Sequence, residues 1–129
     1  MKANQALQKY FGYTEFREGQ ETLINAILEG KDALGIMPTG GGKSLCYQIP
    51  ALLLPNITLV ISPLISLMKD QVDALSEIGI AATFINSTLD EESMRERLIG
   101  IRQNRYKIIY IAPERLNSYL IRSLFSAVP

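Results

Sequence analysis

Four short apolar runs rich in β-branched residues, at positions 33–37, 57–61, 82–85 and 108–111, are separated by longer segments with helical spacing. Strands that alternate with helices in this way form βαβ units and a parallel sheet flanked by helices. The second and fourth runs are apolar at successive positions, as in strands covered on both faces, which predicts a central place for each. Three runs end in an X-Pro pair: Met37-Pro38, Ser62-Pro63 and Ala112-Pro113. Proline gives no N–H to a strand ladder but suits the first turn of a helix, so each pair marks the carboxyl end of a strand. Open α/β sheets bind their ligands at that edge. Plain helix initiation accounts for the same prolines, and both readings can hold together.

Helical spacing is clearest at 63–78, where Leu64, Leu67, Met68, Val72, Leu75 and Ile78 fall on one stripe and Gly79 stands where a helix would end. Residues 90–102 predict a more charged helix with Ser87, Thr88 or Asp90 at its start. Residues 17–28 predict another, stopped at Gly30. The sequence shows no repeat, low-complexity tract or linker, so residues 1–129 read as one domain or part of one.

The first run leads into Met37-Pro38-Thr39-Gly40-Gly41-Gly42-Lys43-Ser44, with helical spacing after it. Strand, glycine-rich loop and helix is the context a phosphate-binding loop requires. Consecutive glycines let the backbone turn tightly and aim several N–H groups at one anion, and the helix adds its positive end. In that arrangement Thr39, Gly40, Gly41, Gly42, Lys43 and Ser44 bind the phosphates of ATP. Lys43 reaches the β- and γ-phosphates and is the catalytic candidate, while the Ser44 hydroxyl is a ligand for Mg²⁺. The strict pattern has glycine where Met37 stands, which makes this a variant loop. The alternative is a glycine-rich hairpin with an incidental lysine, which would not need three glycines followed by Lys-Ser.

Composition bounds the chemistry. The chain has 129 residues, 47% of them hydrophobic, with 13 basic and 13 acidic side chains in balance, so any contact with nucleic acid is local rather than driven by overall charge. Histidine is absent, which removes histidine acid-base catalysis and histidine-held metals. One cysteine, Cys46, makes no internal disulfide and reads as a buried structural thiol in an intracellular protein. No signal-like start or membrane-length apolar run is present, which predicts a cytoplasmic location.

Motifs along the chain resemble the RecQ family of ATP-dependent DNA helicases, in superfamily 2. The loop and its continuation, Leu45-Cys46-Tyr47-Gln48-Ile49-Pro50-Ala51, resemble that family's motif I, and superfamily 2 commonly varies where Met37 stands. Tyr10-Phe11-Gly12-Tyr13, with Phe16-Arg17 and Gly19-Gln20, resembles motif 0. The segment from Val60-Ile61-Ser62-Pro63 through Lys69-Asp70-Gln71-Val72 resembles motif Ia, and Tyr110-Ile111-Ala112-Pro113-Glu114-Arg115-Leu116 resembles motif Ib. The matches keep the family's order from about Tyr10 to Leu116. DEAD-box RNA helicases carry a Pro-Thr-Arg-Glu-Leu type of segment where this chain has Ser62-Pro63-Leu64-Ile65-Ser66-Leu67, which favours DNA as substrate.

The resemblance implies a partial RecA-like fold and gives motif 0 the task of holding adenine. A glutamine amide can accept from adenine N6–H and donate to N7, which suits Gln20. Tyr13 offers a ring for stacking, and Arg17 a planar cation that stacks on the base or steadies Tyr13. These aromatic residues also fit an ordinary core, with Gln20 a solvated helix residue. Glu18 stands where many relatives have proline. Motifs Ia and Ib imply contact with single-stranded DNA, with Ser62, Ser66, Lys69 and Arg115 as phosphate contacts. The same residues also suit any solvated helix.

A Walker B strand ending in aspartate, needed for Mg²⁺ and the attacking water, is not among the runs. Glu114 lies past a proline, already in the next helix. The family's Asp-Glu-Ala-His motif, its second motor domain with an arginine finger, and the zinc-binding and winged-helix regions of longer members all come later than residue 129. The expectation is therefore the first part of the first motor domain, whose parent unwinds duplex DNA 3′ to 5′ in repair and recombination. On this reading residues 1–129 alone are inactive, and they hold no zinc. A small P-loop kinase, or a non-catalytic nucleotide-binding module, is the alternative. Preferred DNA structures, protein partners and self-association are not readable.

Overall fold

The computed structural model describes residues 2–17, 19–31 and 44–114. The first expected strand and the glycine loop up to Lys43, like Arg115, lie outside the described residues. The chain divides into two compact units, Met1–Pro55 and Asn56–Pro129.

In the first unit, helix α1 (Ala3–Ala6) widens into a π-type turn over Leu7–Phe11, which ends at Gly12. Helix α2 (Gln20–Leu28) and helix α3 (Leu45–Leu53) follow. Ala6, Leu7, Ile24 and Ile49 are fully buried together, with Tyr10, Phe11, Phe16, Leu28, Leu45 and Leu53 packed around them. The core side chains thus come from all of these helical pieces, so none is stable as an isolated helix of this length and each relies on the shared apolar face. Helix α2 begins at Gln20 rather than Arg17. Gly19, at φ 85°, is left-handed, a conformation no helix interior accommodates. Pro50 sits inside α3 and is itself buried.

The second unit holds β1 (Thr58–Ile61), α4 (Ile65–Glu77), β2 (Ala82–Ile85), α5 (Glu91–Arg102) and β3 (Ile108–Ile111). All three strands are parallel, in the order β1-β3-β2. β3 is the middle strand, with Ile108, Ile109, Tyr110 and Ile111 all at 0% exposure, as its unbroken apolar run predicts. The equally apolar run in β1 is not central among the described strands. It pairs with β3 only, and Leu59 and Ile61 are exposed.

Helix α4 ends as its glycine implies. Gly79, at φ 86°, donates to Ser76 O and Ile80 to Leu75 O, the paired bonds of a Schellman cap. α5 ends in the same pattern with Asn104 at φ 56°, one of the few side chains that tolerate this region. Of the expected stripe, Met68 and Leu75 are buried, but Leu64, just before α4, and Leu67 in its first turn are exposed. At the start of α5 the cap is Asp90, whose Oδ1 accepts from the Ser93 N–H at 2.7 Å.

Candidate nucleotide and DNA sites

The turn before α2 is closed by two reciprocal bonds. Gln20 N–H donates to Arg17 O at 3.1 Å, and Arg17 N–H donates to Gln20 Oε1 at 2.6 Å. Glycine at position 19 supplies the positive φ that such a turn requires. The Gln20 side chain, only 1% exposed, is therefore an internal brace and not a solvated helix residue. Arg17 is exposed, and so is Tyr13 at 55%, an unusual exposure for a large ring. The aromatic residues of this segment accordingly divide. Tyr10, Phe11 and Phe16 pack on the core, whereas Tyr13 presents its ring to solvent.

Ser44 stands at the start of α3, where its carbonyl accepts from Tyr47 N–H and Gln48 N–H. Its side chain makes no capping bond to the helix. Thr39, Gly40, Gly41, Gly42 and Lys43 lie outside the described residues. Cys46, in the first turn of the same helix, is half-buried rather than fully buried, and burial pushes its thiol pKa up, away from the reactive thiolate. No cluster of three or more cysteine, aspartate or glutamate side chains able to hold a metal occurs among the described residues.

Ser62, Ser66 and Lys69 belong to the second unit, at the carboxyl end of β1 and on the first turns of α4. Ser62 N–H extends the strand ladder to Ile111 O, and Ser62 Oγ accepts from Leu64 N–H at 3.1 Å, fixing the exit from the strand. Ser66 is exposed. Lys69 Nζ is 2.7 Å from Asp73 Oδ2, and this hydrogen bond raises the lysine pKa. So exposed a pair is a weak, screened interaction that a stronger anion can displace.

Sequence reading missed the neighbouring turn after β2. Asn86, 1% exposed, accepts through Oδ1 from Thr88 N–H at 2.9 Å, and its Nδ2 lies 3.5 Å from Met68 Sδ on α4. The Asn-Ser-Thr triplet after a strand was the available signal.

The profile of the DEAD/DEAH box helicase family matches residues 17–128. RecQ, an ATP-dependent DNA helicase of Bacillus subtilis, is 56% identical over 118 residues, which are 91% of this chain and 20% of that protein. RecQ of Haemophilus influenzae is 51% identical over 124 residues, 95% of this chain and 20% of its own length. The chain thus spans about a fifth of these relatives. Among solved structures, a hypothetical ATP-dependent RNA helicase from Sulfolobus tokodaii superposes with a TM-score of 0.71 at 23% identity, over 95% of this chain and 36% of that one. That likeness establishes a partial RecA-like α/β fold, as expected from the alternating runs. Matched by the family profile over most of its length, the chain belongs to the DEAD/DEAH box helicase family, and the RecQ proteins above are more than half identical to it over the stretch they share.

Proposed function

We propose that this chain is the opening part of the first motor domain of an ATP-dependent 3′-5′ DNA helicase acting in DNA repair and recombination in the cytoplasm. No described helix is long and apolar enough to cross a membrane. One observation carries the nucleotide-binding part of the reading. Helix α2, which begins at Gln20, and helix α3, which follows Ser44, pack through Ile24 and Ile49 into one core, so the adenine candidates and the start of the phosphate-binding helix belong to the same unit.

In this reading Tyr13 stacks on adenine, Arg17 lies beside it, and the braced Gln20 amide reads its edge. Gln20 is held by its own backbone contacts before nucleotide arrives, so little ordering cost remains for binding. Residues 39–43 cradle the phosphates, and the α3 N-terminus adds its positive end. Ser44 would hold Mg²⁺, which when bound neutralises charge on the phosphates. Ser62, Ser66, Lys69 and Arg115 contact the phosphates of single-stranded DNA, and the balanced charge of the chain makes these contacts local.

The test is Lys43→Ala in a chain extended through both motor domains, measured as steady-state ATP hydrolysis with single-stranded DNA present. Losing the cation aimed at the β/γ-phosphates should reduce turnover by about 10²-fold or more. Turnover near that of the unsubstituted protein would refute the assignment.

A further inference from the structure

Strand β2 is an outer strand of the described sheet, since among the described strands it pairs with β3 alone. Along a parallel ladder the backbone groups of successive residues point to alternate sides. Ala81 O and Ile85 O accept from the N–H groups of Lys107 and Ala112, toward β3, so the backbone N–H and C=O of Ala82 and Phe84 point away from it.

One side chain closes this edge. Arg97, on α5, places its guanidinium 2.7 Å from Phe84 O, 3.0 Å from Thr83 Oγ1 and 4.3 Å from the centre of the Phe84 ring. Thr83 and Phe84 are consecutive, so their side chains lie on opposite faces of the strand. A single guanidinium reaches both, and the carbonyl of Phe84 as well, only by passing over the outer edge of β2. The carbonyl contact is a charge-assisted hydrogen bond, backed by stacking of the cation on the ring.

The strand carries no protection of its own. Residues 78–89 include no charged residue and no proline, whereas β1 runs into Pro63 and β3 lies between Lys107 and Pro113. Uncharged strands of β-branched and aromatic residues, without proline, pair readily with other chains when their edge is open.

We propose that Arg97 guards this edge, and that the partner it excludes is β2 of a second copy of this chain. Pairing about a two-fold axis would set Ala82-Thr83-Phe84-Ile85 against itself, with no charge on either strand to oppose it. With Arg97 in place Phe84 O is already taken, and two like charges would be brought together across the junction. This role is separate from nucleotide and DNA binding.

The test compares the unsubstituted 129-residue chain with Arg97→Met by sedimentation velocity over a range of concentrations, with circular dichroism to confirm that both are folded. Arg97→Met should self-associate more tightly by roughly tenfold or more, the effect of freeing one charge-assisted backbone contact. Amide hydrogen exchange then locates the junction. In the unsubstituted chain the amides of Ala82 and Phe84 should exchange faster than those of Thr83 and Ile85 at every concentration. In Arg97→Met the protection of Ala82 and Phe84 should rise several-fold with concentration. Association no tighter than that of the unsubstituted chain, or association that leaves these two amides unprotected, would overturn the proposal. So would their protection in the unsubstituted chain, which would place another strand on the edge. If Arg97→Met does not fold, Arg97→Lys takes its place with the same readouts and a smaller rise, because an ammonium keeps the charge but not the planar fork.

Discussion

The Tyr106 ring lies against the backbone of Gly100, so close that a Cβ added at Gly100 would come within 2.6 Å of Cε2. Gly100 is buried on α5, and Tyr106 belongs to the cluster around Ile101 and Ile109. Helix propensity alone favours alanine over glycine by about 1 kcal/mol, but the clash requires the ring to move within a packed cluster. Gly100→Ala should therefore destabilise the chain by about 1–3 kcal/mol, read from the urea midpoint. Gly100→Ala/Tyr106→Leu should recover part of that loss relative to Tyr106→Leu. A Gly100→Ala chain more stable than the parent would show that the ring yields freely.

Arg97→Met keeps much of the aliphatic stem and removes the hydrogen bonds to Phe84 O and Thr83 Oγ1. Burial lowers the arginine pKa, yet a guanidinium stays charged at any ordinary pH, so the lost contacts are charge-assisted. The side chain is half-buried, which discounts their worth to about 1–2 kcal/mol in thermal or chemical unfolding. Arg97→Lys should recover only part of this, because an ammonium lacks the planar fork and the ring-stacking face. Full recovery would mean that charge alone matters.

Asp90 gives a pH dependence with a definite sign. The Ser93 backbone N–H, then the Ser93 hydroxyl, hold its carboxyl below the ordinary carboxylate range. A depressed folded-state pKa contributes stability above the unfolded value, near 3.9 for aspartate, and that contribution is lost as pH falls through the folded value. Asp90→Asn retains a capping oxygen but does not titrate. The melting-temperature difference between the unsubstituted chain and Asp90→Asn should be constant near neutral pH and shrink below about pH 4. A difference that stays flat down to about pH 2, below the ordinary carboxylate range, would exclude the cap as its source.

Gln20→Ala, in a chain extended through both motor domains, should weaken preference for ATP over GTP more than it weakens phosphate binding. The amide would read the base, while residues 39–43 meet phosphates common to both nucleotides. Competition binding decides the matter, and unchanged discrimination would reduce Gln20 to its bracing role. Its bond to Arg17 N–H also predicts a modest loss of stability, on the order of 1 kcal/mol.

Strand positions were legible because short β-branched runs admit few alternatives: β1 and β3 fall inside the runs at 57–61 and 108–111, each closed by an X-Pro pair, and β2 fills the run at 82–85, which ends at Asn86. The ends of α4 and α2 were legible from Gly79 and Gly30, which both take positive φ. Strand order was not. Apolar composition describes what a strand can bury, and nothing local distinguishes β3, flanked on both sides, from β1, which among the described strands pairs on one. Nor does periodicity reveal which part of a stripe meets a partner, hence the exposure of Leu64 and Leu67 beside buried Met68. For the site, the resemblance to motif 0 singled out Tyr13, Arg17 and Gln20, but the closed Arg17–Gln20 turn needed coordinates, as did Asn86.

The order β1-β3-β2 also constrains how the second unit is born. β1 and β2 each pair with β3, and β3 is the last of the three to be synthesised. Until residues 108–111 leave the ribosome, the two earlier strands have no described neighbour to satisfy their backbone groups. Each can wait only as a strand leaning on its own helix, with aliphatic edges open to other chains. The Schellman turns at Gly79 and Asn104 shorten that interval, since each delivers the following strand within a few residues of its helix. A nascent chain stalled between residues 86 and 107 would therefore be the form most in need of a chaperone.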